Sequence, residues 1–442
     1  MKEWKRAGQV ASALGLVAGL SSPAFATGLR EAVELAVRNH PEVLAATQRR
    51  LAADEQVAQA RAGYFPQVEV SAGFGRERLN SMTTRSLGLS DPSFNQQARA
   101  VQVTQMLFDG MGTPKQVAQQ RARSIASAEQ LGAQVEETAL KAVGAYLELL
   151  RRRETVDLAK QNIVAHLRIR NMIEKRVDAG VGRRSDLDQA EARVALAKAN
   201  LRQERAAMLD AEATYLQVVG EAPGKLAPLE ATPRATPPSE KEGWEQAFGR
   251  HPAVRSASAM VESTQAQLGV RQAAFSPRLD LELTAAKNRD AVRGITDDYA
   301  AMLRVRYNLS SGGADSARVR EARHLIAEAQ QSLNRVRRQV MENVSQSING
   351  LHAAWDRVEL LKDYAASANA ARLAYAHQFA IGQRTLLDLL NAENEYFAAA
   401  SSLASARYSE QFAHYRLQAS TGQLLESLGI AMPAEALSGG LA

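Results

Sequence analysis

The chain has 442 residues, no cysteine, and 54 basic against 48 acidic residues. Without cysteine there is no disulfide, no thiolate chemistry and no thiol to carry a lipid at a cleavage site. The charge of +6 is small for this length, and its arginines are interleaved with glutamates, so they read as solvated helix faces and exclude a nucleic-acid patch.

Lys2, Lys5 and Arg6 form a basic start, Val10 to Leu20 an apolar run too short to span a bilayer, and Ala24-Phe25-Ala26 a small-x-small site. This is the pattern of a Sec-type signal peptide over residues 1–26, cut after Ala26. No other segment reaches eighteen consecutive apolar residues, so the expected destination is the periplasm or, through β-strands, the outer membrane.

A first unit is expected over 27–221. It opens on a helical stretch, Leu29 to Ala36, then Asn39-His40-Pro41-Glu42-Val43. After Pro66 the residues alternate: Val68, Val70, Ala72 and Phe74 take one face, Gln67, Glu69, Ser71 and Gly73 the other. The pairing strand is expected over Ala100 to Phe108, giving a hairpin over about 67–108 with an exposed polar loop from Arg78 to Asn95. No proline follows from Lys115 to Ala222, and the sequence is rich in good helix formers. A helix from Lys115 to Asp178 would run about 95 Å, long for a globular domain and natural for a projecting rod. Its seam uses Leu140, Val143, Leu147 and Leu150, and the helix after it uses many alanines, which allow close approach but bury little area each. The two helices are expected to turn at 180–185.

The Pro-rich stretch 222–243 reads as an extended linker. A second unit over 244–430 then repeats the first. Arg250-His251-Pro252-Ala253-Val254 echoes Asn39 to Val43, and Phe275-Ser276-Pro277 echoes Tyr64-Phe65-Pro66 at the same offset. Leu279, Leu281 and Leu283 alternate with Asp280, Glu282 and Thr284, and Tyr299, Leu303, Val305 and Tyr307 with Met302, Arg304 and Arg306, predicting a hairpin over about 278–309. A second proline-free run, from Arg278 to Met432, holds a helical hairpin turning at 380–385. Residues 431–442 are expected to be a loose tail.

The fold class is therefore mainly α with a small transmembrane β part: internally duplicated long-helix hairpins and four β-strands per chain. Strands of about ten residues suit a tilted membrane strand. Four cannot close a barrel, since about eight is the practical minimum, so in a membrane their edges must be met by other copies. Two copies would give a plugged interior and three an open lumen.

At the turns, Gly182 and Gly382 are expected to take the left-handed conformation that ends a helix. Ser185 and Thr385 are expected to cap the next helix, with Asp188 and Asp388 three residues on. No His-Glu-x-x-His, Gly-x-Ser-x-Gly or P-loop occurs, and His40 and His251 precede prolines at helix boundaries. The sequence reads as no enzyme, and neither a cofactor nor a metal is expected.

The hairpins, the long proline-free helices, the duplication and above all Phe379-Ala380-Ile381-Gly382-Gln383-Arg384-Thr385-Leu386-Leu387-Asp388 resemble the TolC-like outer-membrane export channels, over nearly the whole mature chain. The resemblance implies a homotrimer in outer-membrane lipid: a trimeric α/β-barrel channel-tunnel, with a twelve-strand barrel, a twelve-helix periplasmic tunnel and the linker wrapped round its equator. It implies an exit duct joined by a periplasmic adaptor to an inner-membrane pump, either an ABC transporter or one of the resistance-nodulation-division class. Type I protein secretion is the expected system, with multidrug efflux as the alternative and a soluble periplasmic coiled-coil scaffold as a third reading. It further implies that the turns form the periplasmic tip, that Arg384 meets Asp188 of a neighbouring helix pair to hold it shut, and that Asp388 forms an acidic ring facing the pore. Gly182, Arg183, Arg184, Gly382 and Thr385 would make the tip turns and adaptor contacts. Two departures from the family are expected to matter: Phe379 stands where the family often has tyrosine, so one gate hydrogen bond is missing, and Asn391 stands where a second acidic ring would lie, so the ring is single and cation block weaker.

Overall fold

The computed structural model describes residues 27–437, apart from 79, 81, 87, 89–92, 230–233, 235 and 291–293. The expected signal peptide and residues 438–442 lie outside the described residues. Helices α1 (Leu29–Asn39) and α2 (Pro41–Arg61) lead into strand β1 (Gln67–Arg78). A short helix α3 (Met82–Ser86) precedes β2 (Ser93–Phe108), and the long α4 (Gly112–Asp178) and α5 (Arg184–Val219) follow. The second half repeats the order with α6 (Glu240–Arg250), α7 (Pro252–Ala273), β3 (Arg278–Asp290), β4 (Gly294–Arg306), α8 (Ala314–Ala380) and α9 (Leu386–Ser420), closing on α10 (Leu424–Ser427).

The duplicated His-Pro pairs have a structural use. His40 and His251 cap α2 and α7: each ring Nδ1 accepts a backbone N–H two residues on, from Glu42 at 3.3 Å and Ala253 at 3.2 Å. Proline at the first helical position loses nothing there, because that N–H has no intrahelical partner. Burial lowers the pKa of His251, which suits a neutral acceptor.

Each 67-residue helix, α4 and α8, spans about 100 Å; α4 runs between two end-to-end pairs of shorter helices, α2 with α5 and α7 with α9, and α8 lies along the second pair. Near the sheet the packing order is α2–α4–α7–α8; at the far end it is α5–α4–α9–α8. The core sits between, at the equator, where Val33, Leu131, Val143, Tyr146, Tyr215 and Leu424 are fully buried or nearly so. The linker is tied there. The Tyr146 hydroxyl donates to the carbonyl oxygens of Ala227 at 2.7 Å and Thr27 at 3.1 Å, and Arg234 pairs with Glu410 and Glu359.

The four strands form one antiparallel sheet in the order β1-β2-β3-β4, with β1 and β4 as its edges. It is inside out relative to a soluble sheet. Val70, Phe74, Tyr299, Leu303 and Val305 are exposed, whereas Asp280 is 0% and Glu282 6% exposed on the opposite face. Those carboxylates are held by arginines: Arg278 donates to Asp280 at 2.9 Å, Arg304 to Glu282 at 2.8 Å and Arg306 to Glu282 at 3.0 Å. No described helix is long and apolar enough to cross a membrane.

Several boundaries differ from expectation. β2 begins at Ser93, seven residues before Ala100, because its pairing with β1 continues to Arg78. β4 ends at Arg306, short of Leu309, and the loop after β1 holds α3 with Thr84 buried. The linker stops at Ser239, which caps α6 in a reciprocal box with Glu242. Residues 431–437 are packed, not loose: Ala434–Ala436 form a 3-10 turn, and Ala436 is buried against the equatorial core.

Candidate functional site

The ends of the helical layer farthest from the sheet bring all the singled-out residues to two turns, α4–α5 and α8–α9. A shared apolar cluster joins them: Ile169, Ile173 and Leu187 of the first pair pack with Phe379, Leu386, Leu389 and Leu390 of the second. The α4 side chain Arg176 lies over the Phe379 ring at 4.7 Å, a cation–π contact that further links the pairs. Phe379 is thus a buried anchor beneath both turns.

The first turn is made by Gly180, which carries the left-handed φ of +74° expected of Gly182. Gly182 is required for another reason. The backbone folds so tightly that a Cβ there would stand 2.9 Å from the Val177 nitrogen, while the Gly182 N–H donates to the Arg176 carbonyl at 2.9 Å. The expected cap at Ser185 is absent. α5 already begins at Arg184, with Arg183 at the N-cap position and no side-chain cap. Arg183 is exposed at the end of the turn. Arg184 instead reaches along the helix and donates to Asp188 at 3.2 Å, with both side chains well exposed.

The second turn follows the expectation. Gly382 has φ +78°, and Thr385 caps α9. The Asp388 N–H donates to the Thr385 hydroxyl at 3.2 Å, and Asp388 accepts from the Thr385 N–H and hydroxyl at 3.2 and 2.8 Å. These bonds, then nearby Arg384, hold the Asp388 carboxyl below the usual aspartate range, so it remains charged at neutral pH. Arg384 is engaged at its own turn. It donates to Gln378 at 2.9 Å, lies over Tyr375 at 4.3 Å and comes within 3.9 Å of Asp388. Within one chain, Arg384 and Asp188 are each paired at separate turns.

Sequence reasoning missed Gln378 and Tyr375, whose spacing of three places them on one face of α8 beneath Arg384. It also missed Arg193, which donates to Asn391 at 3.1 Å and ties α5 to α9 just above the turns. Above that, His166 and Asn394 approach to 3.2 Å, and burial lowers the His166 pKa. Among the described residues no group of acids and histidines could hold a metal ion.

The family model for "Outer membrane efflux protein" matches residues 32–221 and 244–423, leaving out the linker. Among curated proteins, the "Outer membrane efflux protein BepC" of Brucella suis is 31% identical over 85% of this chain and 81% of its own length. The "Alkaline protease secretion protein AprF" of Pseudomonas aeruginosa is 26% identical over 92% of this chain and 87% of its own. Among solved structures, the Campylobacter jejuni CmeC outer membrane channel superposes with a TM-score of 0.79 at 14% identity, covering 93% of this chain and 89% of that one. CusC superposes at 0.77 with 15% identity, covering 91% and 92%. At these identities the structures speak to the fold.

Proposed function

The chain belongs to the outer membrane efflux protein family, and on that premise we propose that three copies close into one duct serving as the exit of a tripartite export system. As a member of that family it is an outer-membrane channel and not an enzyme. The observation that carries the trimeric duct is the sheet: an apolar face turned outward, a charged face turned inward, and both edges unpaired among the described residues. Open edges cannot face hydrocarbon, and four strands from each of three copies would make a twelve-strand barrel. The helical layer supports the same closure. Its edge helices expose leucines, Leu196, Leu209 and Leu216 on α5 and Leu360 and Leu373 on α8, as a second copy would require. The helices then form a periplasmic tunnel ending at the two turns.

We assign the turns to the gate. Asp388, kept ionised by its cap, lines the constriction as a ring of three carboxylates that attracts cations. Arg384 and Asp188 brace neighbouring helix pairs, and Gly182, Arg183, Arg184, Gly382 and Thr385 present the tip to a periplasmic adaptor. For cargo we favour type I protein secretion with an ABC transporter, in keeping with two relatives named for protease secretion, AprF and PrtF of Dickeya chrysanthemi. The second reading, small-molecule efflux, is favoured by the higher identity to BepC, named an efflux protein.

Single-channel recording of the detergent-extracted protein, with its native mass, tests the duct. Stable channels from a trimer are expected; a non-conducting monomer overturns it. Arg384→Ala should raise conductance severalfold, and unchanged conductance would confine Arg384 to holding its own turn. Asp388→Asn should relieve block by multivalent cations, and persistent block would remove Asp388 from the pore. Restoring protease export, but not dye efflux, to a channel-deficient secretion strain would settle the cargo for type I secretion; the reverse would settle it for efflux.

A further inference from the structure

The outward face of the sheet changes chemistry along the strands. Near the helices its rows are apolar: Val68, Val103, Leu283 and Ala301 form one, and Val70, Val101, Ala285 and Tyr299 the next. The following row is Ala72, Arg99, Lys287 and Asp297. Beyond it lie Arg289, then Arg76, then Arg78. Five basic residues thus face one acid on the outward side of the distal strands. The inward side of the same rows holds Glu77 and Asp298 and, among the described residues, no base.

The depth of this change matches a membrane. From the Leu279 row to the Lys287 row is eight residues, roughly 20 Å along the axis of a barrel tilted by about 40°. That is close to the apolar band of such barrels, about 25 Å. The basic rows therefore stand where hydrocarbon gives way to headgroups, on the side away from the helices.

A notch opens at that boundary. The small side chains of Ala72 and Ala285 leave a cavity of about 340 Å³ walled by Val70, Val101 and Tyr299 and rimmed by Arg99 and Lys287. Arg99 is oriented by the ring of Phe74, 5.7 Å away on the same face, and Lys287 is partly neutralised by Asp297 at 3.2 Å. The rim bases belong to β2 and β3, the inner strands, so closing the edges β1 and β4 with other copies leaves them uncovered.

We propose that this notch is a binding site for a phosphorylated glycolipid of the outer leaflet, with an acyl chain between Ala72 and Ala285 and a phosphate on Arg99 and Lys287. The proposal rests on the outer-membrane barrel described above. An apolar slot under a basic rim fits an amphiphile with an anionic head. Guanidinium takes phosphate through two parallel hydrogen bonds, so Arg99 makes the principal contact. Arg289 and Arg76, one and two rows beyond, receive a second phosphate, which selects a doubly phosphorylated headgroup over a single phosphodiester.

Native mass spectrometry of the detergent-extracted oligomer, with added diphosphoryl lipid A, tests this. The wild type should retain diphosphoryl lipid A at least tenfold better than phosphatidylglycerol or phosphatidylcholine. Arg99→Ala with Lys287→Ala should abolish that preference, and Ala285→Phe, which fills the notch without altering charge, should reduce retention as well. Equal retention by the variants, or equal retention of phosphatidylglycerol, overturns the site. Channel conductance and native mass are recorded on the same samples. Normal trimeric channels with indifferent lipid binding would sink only the lipid site, whereas loss of the channel in the wild type would sink the barrel reading.

Discussion

The two turns at the end of the helical layer occupy equivalent places in a duplicated chain, yet they are built differently. The α8–α9 turn is reinforced by side chains: a reciprocal Thr385–Asp388 cap, with Arg384 laid over Tyr375 and bonded to Gln378. Backbone bonds close both turns, Gly382 to Phe379 and Gln383 to Gln378 in one, Gly180 to Val177 and Val181 to Arg176 in the other; the α4–α5 turn adds the Gly182 N–H on the same Arg176 carbonyl, lacks a side-chain cap, and leaves its Arg184–Asp188 pair in solvent. Duplication preserves the path of the chain, which the glycines set, while the side chains over it are free to specialise. A turn held by a carboxylate cap can be altered by one proton; the α4–α5 turn has no such cap and is sensitive instead to a side chain at Gly182.

The largest effect should come from removing what the turns share. Phe379→Ala leaves a cavity beneath both and should cost about 3–5 kcal/mol, with amide exchange accelerating at 176–187 as well as 378–390. Acceleration confined to the second turn would mean the two are independent. Glu136 on α4 gives the contrast of a buried acid at the equator. Only 6% exposed, it accepts from the Leu425 N–H at 3.5 Å, and burial, outweighing that bond, pushes its pKa up to about 7. An acid whose pKa is raised on folding loses stability as pH rises, here between its ordinary value near 4.5 and about 7. Glu136→Gln should therefore raise the melting temperature at pH 8, by an amount corresponding to at most roughly 3 kcal/mol, and leave it little changed at pH 4.5. Asp388 has the opposite sign. Its lowered pKa means its contribution is full above the ordinary aspartate value and is lost as pH falls below it through the folded pKa. Acid should loosen the second turn selectively, read as faster exchange at 385–388 relative to 183–188.

Smaller effects sharpen the comparison. Thr385→Ala should cost about 1 kcal/mol, the value of an N-cap. Ser185→Ala, at the equivalent place but capping nothing, should stay within about 0.5 kcal/mol. Equal costs, measured by urea denaturation of the detergent-solubilised protein, would mean that both turns rely on hydroxyl caps.

Much of the architecture was legible because it rests on local periodicity. Alternation at Val68 to Phe74 and at Leu279 to Leu283 marks strands whichever neighbours they meet, and a long proline-free run marks a helix. The second turn was read correctly because a capping box is complete within four residues. The first was misread because Ala-Gly-Val-Gly offers two glycines, and only the descent of the backbone onto Arg176 decides that Gly180 turns left-handed while Gly182 allows close approach. The brace from Arg193 to Asn391 spans two distant helices and had no signal in either.

The sequence by itself determined the inventory: the paired hairpins, the long helices, the exposed apolar strand face and the four-strand shortfall that calls for other copies. These depend on residues a few positions apart, where propensity and alternation act. Tertiary structure alone decided what burial and distance decide. It placed Asp280 and Glu282 under three arginines, desolvated Glu136, anchored residues 431–437 to the equator, and set Arg99 beside Lys287 from strands far apart in the chain. Desolvation and charge proximity are properties of space, and a chain acquires them only once distant segments have met.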